Sequence, residues 1–214
     1  ALITGYPGSP VSEVFDAVSR ISDLLVEKGI VAQMANNEGL AGARLNGARL
    51  AELRGLAIMK SVGMHVAADA LAIGNLSEPQ KPGGGAMIIV GDDPWNETTQ
   101  INSDSRFLSL HLHMPVLEPA TFQELKDWIK DGFELSGASD LYVTYVVTTN
   151  QADGGGSVRC RPNLYPALNH HQKTTLSSSA MPVERMAMIP PHISLREATL
   201  PARFERFLNA VRER

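Results

Sequence analysis

Ala1-Leu2-Ile3-Thr4-Gly5-Tyr6-Pro7-Gly8-Ser9-Pro10 carries the strand, the turn and the helix start from which the fold is read. Residues 1–4 are a short run of apolar and β-branched side chains, the composition of a buried strand. Two glycines and two prolines follow, which makes a rigid turn that another group can approach closely. Ser9 is placed to cap a helix whose first residue is Pro10. The same hydroxyl is equally placed to contact a ligand, and the two roles are compatible. Val11, Val14, Phe15, Val18, Ile21 and Leu25 then keep a helical period, and Gly29 stops it. A buried strand followed at once by a helix is the first half of a βαβ unit.

The unit repeats along the chain. Ile30–Met34 reads as a second strand, residues 38–53 as a helix ended by Gly55, Leu56–Met59 as a third strand and Val66–Ile73 as a short helix. Beyond the loop Gly83-Gly84-Gly85, Ala86–Val90 reads as a fourth strand, Asp104–His111 as a helix and Val116-Leu117 as a short strand. Thr121-Phe122-Gln123-Glu124 has the form of a capping box, and Phe122, Leu125, Trp128, Ile129 and Phe133 follow on one face. Leu141–Thr148 is a β-branched strand. This rhythm predicts an α/β fold, a parallel sheet flanked by helices on both faces, over residues 1–150. Residues 151–214 read differently. Gln151 to Pro182 is rich in Gly, Ser, Asn and Pro and has no period, as in a long loop or extended arm. Residues 200–214 form an amphipathic helix with Phe204, Phe207, Leu208 and Val211 on its apolar side, packed on or linking the first domain. There are no internal repeats.

Composition narrows the function classes. The 214 residues are 43% hydrophobic and carry a formal net charge of -4, which argues against a nucleic-acid or anionic-membrane partner. No apolar run reaches the roughly 20 residues that a membrane helix needs. The start has no basic region ahead of an apolar stretch, so it does not read as a signal peptide. It also lacks a methionine and opens on a strand, which reads as a chain with neighbouring sequence missing. A single cysteine, Cys160, rules out a disulfide within the chain and fits a cytoplasmic setting. The same count excludes a four-thiolate iron–sulfur cluster held by this chain alone. Cys160 lies in a polar loop and reads as incidental. Gly-x-Gly-x-x-Gly after a strand, Gly-Lys-Ser/Thr and Gly-x-Ser-x-Gly are all absent. His111-x-His113 and His170-His171 lack companion ligands at zinc spacing. Asn75-Leu76-Ser77 and Asn96-Glu97-Thr98 match glycosylation acceptors, but no secretory signal accompanies them.

Ligands of an open parallel sheet gather beyond the carboxyl ends of its strands. Thr4–Pro10, Asn36–Gly39 and Gly91–Pro94 all follow expected strands, so they should meet at one edge. Asn36-Asn37-Glu38-Gly39 puts a carboxylate at a strand-to-helix switch, where the helix dipole alone favours an acid. The helix after it has a further feature. Gly39, Ala43, Gly47 and Ala51 recur every fourth residue, a stripe of small side chains that lets another backbone come close. Glu38 at the head of that helix would then face a subunit interface. Gly91-Asp92-Asp93-Pro94 suits either a divalent ion or the cap of the next helix, and the cap is preferred.

Several stretches together carry a family resemblance. They are Tyr6-Pro7-Gly8-Ser9-Pro10, Asn37-Glu38, Met59-Lys60-Ser61-Val62-Gly63, Val66-Ala67-Ala68-Asp69, Asp92-Asp93-Pro94, Asp104-Ser105-Arg106 and Pro115-Val116-Leu117-Glu118-Pro119. In their order and spacing the chain resembles the alpha subunit of indolepyruvate:ferredoxin oxidoreductase and related 2-oxoacid oxidoreductases. A weaker echo runs through Ile189-Pro190-Pro191-His192 to the last helix. The loop from Gln151 to Pro182 departs from the family.

The resemblance implies thiamine diphosphate held between two domains of like fold. One grips the aminopyrimidine, and the other grips the diphosphate and its Mg2+. The chain is similar to the first, the pyrimidine-binding domain. The second carries Gly-Asp-Gly followed later by Asn, and Gly91-Asp92-Asp93 is not that motif. Mg2+ and the iron–sulfur clusters are therefore expected on a partner domain or chain, and no metal on this one. Glu38 matches the family glutamate that hydrogen-bonds the 1′ nitrogen of the aminopyrimidine. A carboxyl group there favours the imino tautomer, whose exocyclic nitrogen can take the proton from the thiazolium carbon. Tyr6, Pro7, Gly8 and Ser9 are the further cofactor-binding residues implied, and Ser9, Lys60, Asp92, Asp93 and Arg106 are the substrate candidates.

The implied reaction is oxidative decarboxylation of a 2-oxoacid, with electrons passed to a ferredoxin-type acceptor and the acyl group to coenzyme A. Pyruvate-using relatives place an arginine after the strand equivalent to residues 86–90, and here that place reads Gly91-Asp92-Asp93. An aryl or bulkier 2-oxoacid is expected instead. The partners implied are the diphosphate-binding domain or subunit, in an oligomer. Two alternatives stand beside this reading: a thiamine-dependent decarboxylase without external electron transfer, and a non-catalytic assembly domain of the same fold.

Overall fold

The computed structural model describes residues 1–78, 84–163 and 190–214. Strands β1 (Leu2–Gly5), β2 (Val31–Met34), β3 (Gly55–Lys60), β4 (Ala86–Asp92), β5 (Val116–Leu117) and β6 (Val143–Thr148) form one sheet in the order β2-β1-β3-β4-β6-β5. Every pairing is parallel. The helices are α1 (Glu13–Arg20), α2 (Ser22–Glu27), α3 (Glu38–Leu50), α4 (Ser61–Leu76), α5 (Ser105–His111), α6 (Phe122–Ser139), α7 (Thr149–Ala152), α8 (His192–Glu197) and α9 (Leu200–Arg212). The chain leaves β1 for β2 on one side and then crosses back to β3 on the other. That reversal opens a crevice at the carboxyl ends of β1 and β3.

The central strands are apolar on both faces because both are covered. On one face Ala57, Met59, Ala86, Ile88 and Val90 pack with Ala41, Leu45, Met64 and Leu71 of α3 and α4. On the other, Ile58, Met87, Ile89, Val143 and Tyr145 pack with Val11, Leu135 and Phe207, and with Val14, Phe15 and Trp128 at the margin. A fully buried Leu, Ile or Met contributes about 1.5–3 kcal/mol relative to exposure. The two clusters therefore hold the sheet between its helices.

The first helix begins later than its sequence suggests. The Val11 N–H donates to the Gly8 carbonyl at 3.1 Å, so Ser9 and the cis-linked Pro10 form the centre of a turn. Ser9 is exposed and does not cap; Ser12 takes the cap position, with no side-chain bond, and α1 starts at Glu13. In the other direction, α4 begins at Ser61 rather than at Val66. Residues 61–65 lack an apolar period, but Ser61, Gly63 and Met64 are buried.

The small residues of α3 divide by face. Ala41, Gly42 and Ala48 are buried, and a Cβ on Gly42 would sit 2.9 Å from the Ala70 methyl of α4. Of the Gly39–Ala51 stripe, Ala43 and Gly47 point outward, and nothing lies within 4 Å of a Cβ built on Gly47. Within the described residues, that part of the stripe is open.

After α7, residues 153–163 have no regular structure, and the remainder of the expected arm, 164–182, lies outside the described residues, as does Gly83. Helix α9 lies on α6. Its buried residues are Leu200, Arg203 and Phe207, whereas Leu208 and Val211, expected on the apolar side, are 51% and 43% exposed. The buried face is thus one turn narrower than the apolar pattern, and Arg203 fills part of it. Arg203 donates to the carbonyls of Asn75 and Asp140, Arg196 to that of Leu76 at 2.8 Å and Arg49 to that of Gly74 at 2.8 Å. These are carbonyls at the ends of α4 and α6 that have no helical partner. No helix among the described residues is long and apolar enough to cross a membrane.

Candidate functional site

The carboxyl ends of the strands converge as the sequence leads one to expect. At the end of β1, Gly5 has φ +153°, and a Cβ there would run into the Ile58 carbonyl and lie 2.7 Å from the Phe15 ring. Only glycine fits, and the chain can step sideways: the Tyr6 N–H donates to the Ile58 carbonyl of β3 at 3.0 Å. Gly8 then lies on the Lys60 stem, with Cδ 2.8 Å from a hypothetical Cβ, and Gly91 of β4 lies under Pro10 in the same way, at 2.7 Å. The Tyr6–Pro10 turn therefore spans the ends of β1, β3 and β4. Tyr6, Pro7 and Ser9 are exposed along it.

Glu38 sits on the other side of the same crevice. Asn37 is extended and caps α3, accepting from the Leu40 N–H at 2.8 Å. That cap directs the first helical residue, Glu38, inward, where it is only 8% exposed. Its carboxyl group lies against the first turn of α4. A Cβ on Gly63 would be 2.7 Å from Glu38 Cγ and 2.9 Å from Cδ, and closer still to Oε1. Among the described residues the carboxyl group has no hydrogen-bond or ion-pair partner. Two hydroxyls near these strand ends also lack partners and, unlike the Glu38 oxygens, are fully buried: Thr4 Oγ1 of β1 and Ser61 Oγ of α4, among the described residues.

The acids after β4 behave differently. Asp92 is buried and accepts from the Ser105 hydroxyl and, at 3.1 Å, from the Ser105 N–H that opens α5. Burial pushes its carboxyl up from the ordinary range, and the Ser105 bonds partly offset this. Asp93 accepts from the N–H groups of Glu97, Thr98 and Thr99 at 2.9, 2.6 and 2.8 Å. Burial alone would raise its pKa, but these bonds outweigh it and hold the carboxyl well below the usual range. Neither acid takes the cap position preferred for this segment: Asp104 caps α5, accepting from the Arg106 N–H at 2.9 Å, while Asp92 braces Ser105 and Asp93 organises its own loop. Arg106 pairs with Asp104 at 2.7 Å and Glu118 at 3.4 Å, which raises its pKa further. Three of the substrate candidates therefore have their charge engaged within the chain. Among the described residues no group of three His, Cys, Asp or Glu side chains is placed to hold a metal. His170-His171 lies outside them, and Cys160 is exposed.

Sequence reading missed Gly63, Ser61 and Thr4 as site residues. The signal for Gly63 was a glycine in the first turn of a helix, inside one of the family-like stretches. Asn75, noted only as an acceptor match, is fully buried. It donates to the carbonyls of Leu112 and His113, each at 2.9 Å, and accepts from the Tyr142 N–H at 2.8 Å.

No family model matches the chain. It is similar to "Indolepyruvate oxidoreductase subunit IorA" of Pyrococcus abyssi, 32% identical over 153 residues, which is 72% of this chain and 23% of that protein. The subunit of the same name in Thermococcus kodakarensis is 32% identical over 160 residues, 74% of this chain and 24% of that one. For Archaeoglobus fulgidus the figures are 36% over 136 residues, 63% and 21%. The chain thus spans about a quarter of the length of the curated relatives it matches. Among solved structures it is similar to the thiamine diphosphate-dependent 4-hydroxybenzoylformate decarboxylase of Rhodococcus jostii, with a TM-score of 0.55 and 16% identity, over 83% of this chain and 32% of that one. The fold is that of a domain-sized part of a thiamine diphosphate-dependent enzyme, and by sequence the chain belongs to the family of indolepyruvate oxidoreductase subunit IorA.

Proposed function

We propose that this chain is the pyrimidine-gripping half of a thiamine diphosphate site, in an oxidoreductase that oxidatively decarboxylates a 2-oxoacid, with an aryl 2-oxoacid as the preferred substrate. One observation supports this above the rest: Glu38 is buried at the carboxyl edge of the sheet, with no partner for its carboxyl group among the described residues. The residue is largely withdrawn from solvent while its carboxyl group engages no protein partner, so the position suits a donor or acceptor that arrives from outside. The ring nitrogen of an aminopyrimidine is such a group. The residues present fit it: a buried acid on one side, a turn on the other that exposes Tyr6, Pro7 and Ser9 with Gly8 against the Lys60 stem, and the Gly63 backbone against the acid.

Bound there, thiamine diphosphate would supply the electron sink that decarboxylation needs. Glu38 holds or gives a proton at the 1′ nitrogen, and α4 keeps its carboxyl group in place. The Tyr6–Ser9 turn forms one wall of the crevice. Mg2+ and the diphosphate belong to a second domain or subunit, for which the open Ala43–Gly47 part of α3 offers a close-packing surface. The iron–sulfur clusters belong to a partner as well, since this chain has one cysteine. In this reading a ferredoxin-type acceptor takes the electrons and coenzyme A the acyl group, in a cytoplasmic oligomer.

The test is 2-oxoacid-dependent reduction of a viologen dye by the complete native complex, wild type against Glu38→Gln, with and without thiamine diphosphate. Loss of acid–base assistance lowers turnover by two or more orders of magnitude. Equal turnover in the variant, or no thiamine dependence in the wild type, would sink the proposal.

A further inference from the structure

A 2-oxoacid brings a carboxylate into a crevice that must exclude water, and a charge in such a place needs a fixed counter-charge. Among the described residues, three cations border this edge of the sheet. Arg44 donates to the carbonyls of Gln33 and Met34, at 3.4 and 2.8 Å. Arg106 is held by Asp104 and Glu118. Lys60 has no hydrogen-bond or ion-pair partner among the described residues.

The place of Lys60 is also distinctive. It is the last residue of β3 and stands immediately before α4, with extended backbone at φ -78° and ψ 166°. Its stem lies along Gly8, so that a Cβ there would be 2.8 Å from Cδ and 2.9 Å from Cγ. Three residues later, Gly63 lies against Glu38. A residue just before a helix and one at its third position share a side, the geometry that a capping box uses. Lys60 therefore stands between the Tyr6–Pro10 turn and Glu38, with its stem already ordered by packing. A stem fixed in advance loses less entropy when its charge is engaged. The start of α4 also carries the positive end of the helix dipole, which favours an anion.

We infer that Lys60 holds the carboxylate of the 2-oxoacid and so selects acids over their neutral analogues; this rests on the reading of Glu38 given above. Gly8 is then glycine because a side chain there would displace the Lys60 stem.

The experiment uses the complete native complex with wild type, Lys60→Met and Lys60→Arg. Methionine keeps an unbranched stem on Gly8 and removes the charge. Three quantities are read: KM and kcat for the 2-oxoacid in the viologen assay, and calorimetric Kd for phenylacetate, an aryl carboxylate without the reacting keto group. Lys60→Met should raise both KM and the phenylacetate Kd by roughly 10- to 100-fold, the range of a charge-assisted hydrogen bond. It should leave binding of phenylacetamide as in the wild type, and Lys60→Arg should recover much of the phenylacetate affinity. If Lys60→Met keeps wild-type KM and Kd while Glu38→Gln abolishes turnover, the Lys60 assignment falls and the thiamine reading stands. If the wild type shows no thiamine-dependent turnover, both fall together.

Discussion

Gly63 offers a way to move Glu38 without changing its chemistry. In Gly63→Ala the new methyl group would lie 2.7 Å from Glu38 Cγ and closer to Oε1, where ordinary contact begins near 3.4 Å. The side chain must therefore retreat by about 0.7 Å at Cγ and by more at the carboxyl oxygen. Stability should change little. Alanine gains up to about 1 kcal/mol over glycine in a helix, which offsets crowding against a single side chain that can rotate. Catalysis should be far more sensitive, because a misplacement of about 1 Å in a reacting group can cost on the order of 10²-fold. The expected result is a complex that unfolds within about 1 kcal/mol of the wild type in urea but has lost about two orders of magnitude in thiamine-dependent viologen reduction. Combining Gly63→Ala with Glu38→Gln should add little to the loss from Glu38→Gln alone, since both act through one carboxyl group. Full activity in a folded Gly63→Ala complex would refute the claim that the α4 contact positions Glu38. Fully additive losses would show that Gly63 acts elsewhere.

Asn75→Ala strips partners from two buried backbone groups, at Leu112 and Tyr142, and from a partly buried one at His113. At about 1–3 kcal/mol for each unpaired group, partly relieved by relaxation, it should destabilise by about 2–4 kcal/mol. The urea midpoint should fall with an unchanged slope, and a loss under about 0.5 kcal/mol would show that these three bonds contribute little to the fold. Asp93 tests the loop after β4. Its carboxyl titrates below the ordinary value in the folded chain, so the unfolded chain binds the proton more tightly. Its contribution is complete above the unfolded pKa of about 3.9 and is lost as pH falls toward the depressed folded value. Hydrogen exchange at Glu97, Thr98 and Thr99 should therefore lose protection, relative to the β4 amides, below about pH 4. Asp93→Ala should lack that protection already at pH 7, and protection independent of both would refute the account.

The apolar pattern of the chain determined the α/β class by itself. Short continuous apolar runs in the strands, period 3.6 in the helices and Gly or Pro between them are local properties, and each segment declares its own type. Thr121-Phe122-Gln123-Glu124 is a local device too, and α6 starts at it as expected. The strand-to-helix switch marked Glu38 only as an acid favoured by the helix dipole; its cofactor role came from the resemblance, and the Asn37 cap and its burial came from the structure. The sequence also placed three loops at one edge, since in a parallel sheet every strand ends on the same side. What neighbours cannot announce was left to the tertiary structure. Ser9 reads as a cap until Lys60 and Gly91, far along the chain, hold Gly8 and Pro10 in a turn that delays the helix. Asp92, Asp93 and Arg106 stand as substrate candidates until their partners are known, and those partners engage their charge. Glu38 and Lys60 keep their charged ends unpaired within the described chain because α4 and the first turn support their stems without engaging their polar atoms. Residue type and period fix which elements form. Whether a charge is spent or kept for a ligand depends on what the packed sheet brings beside it.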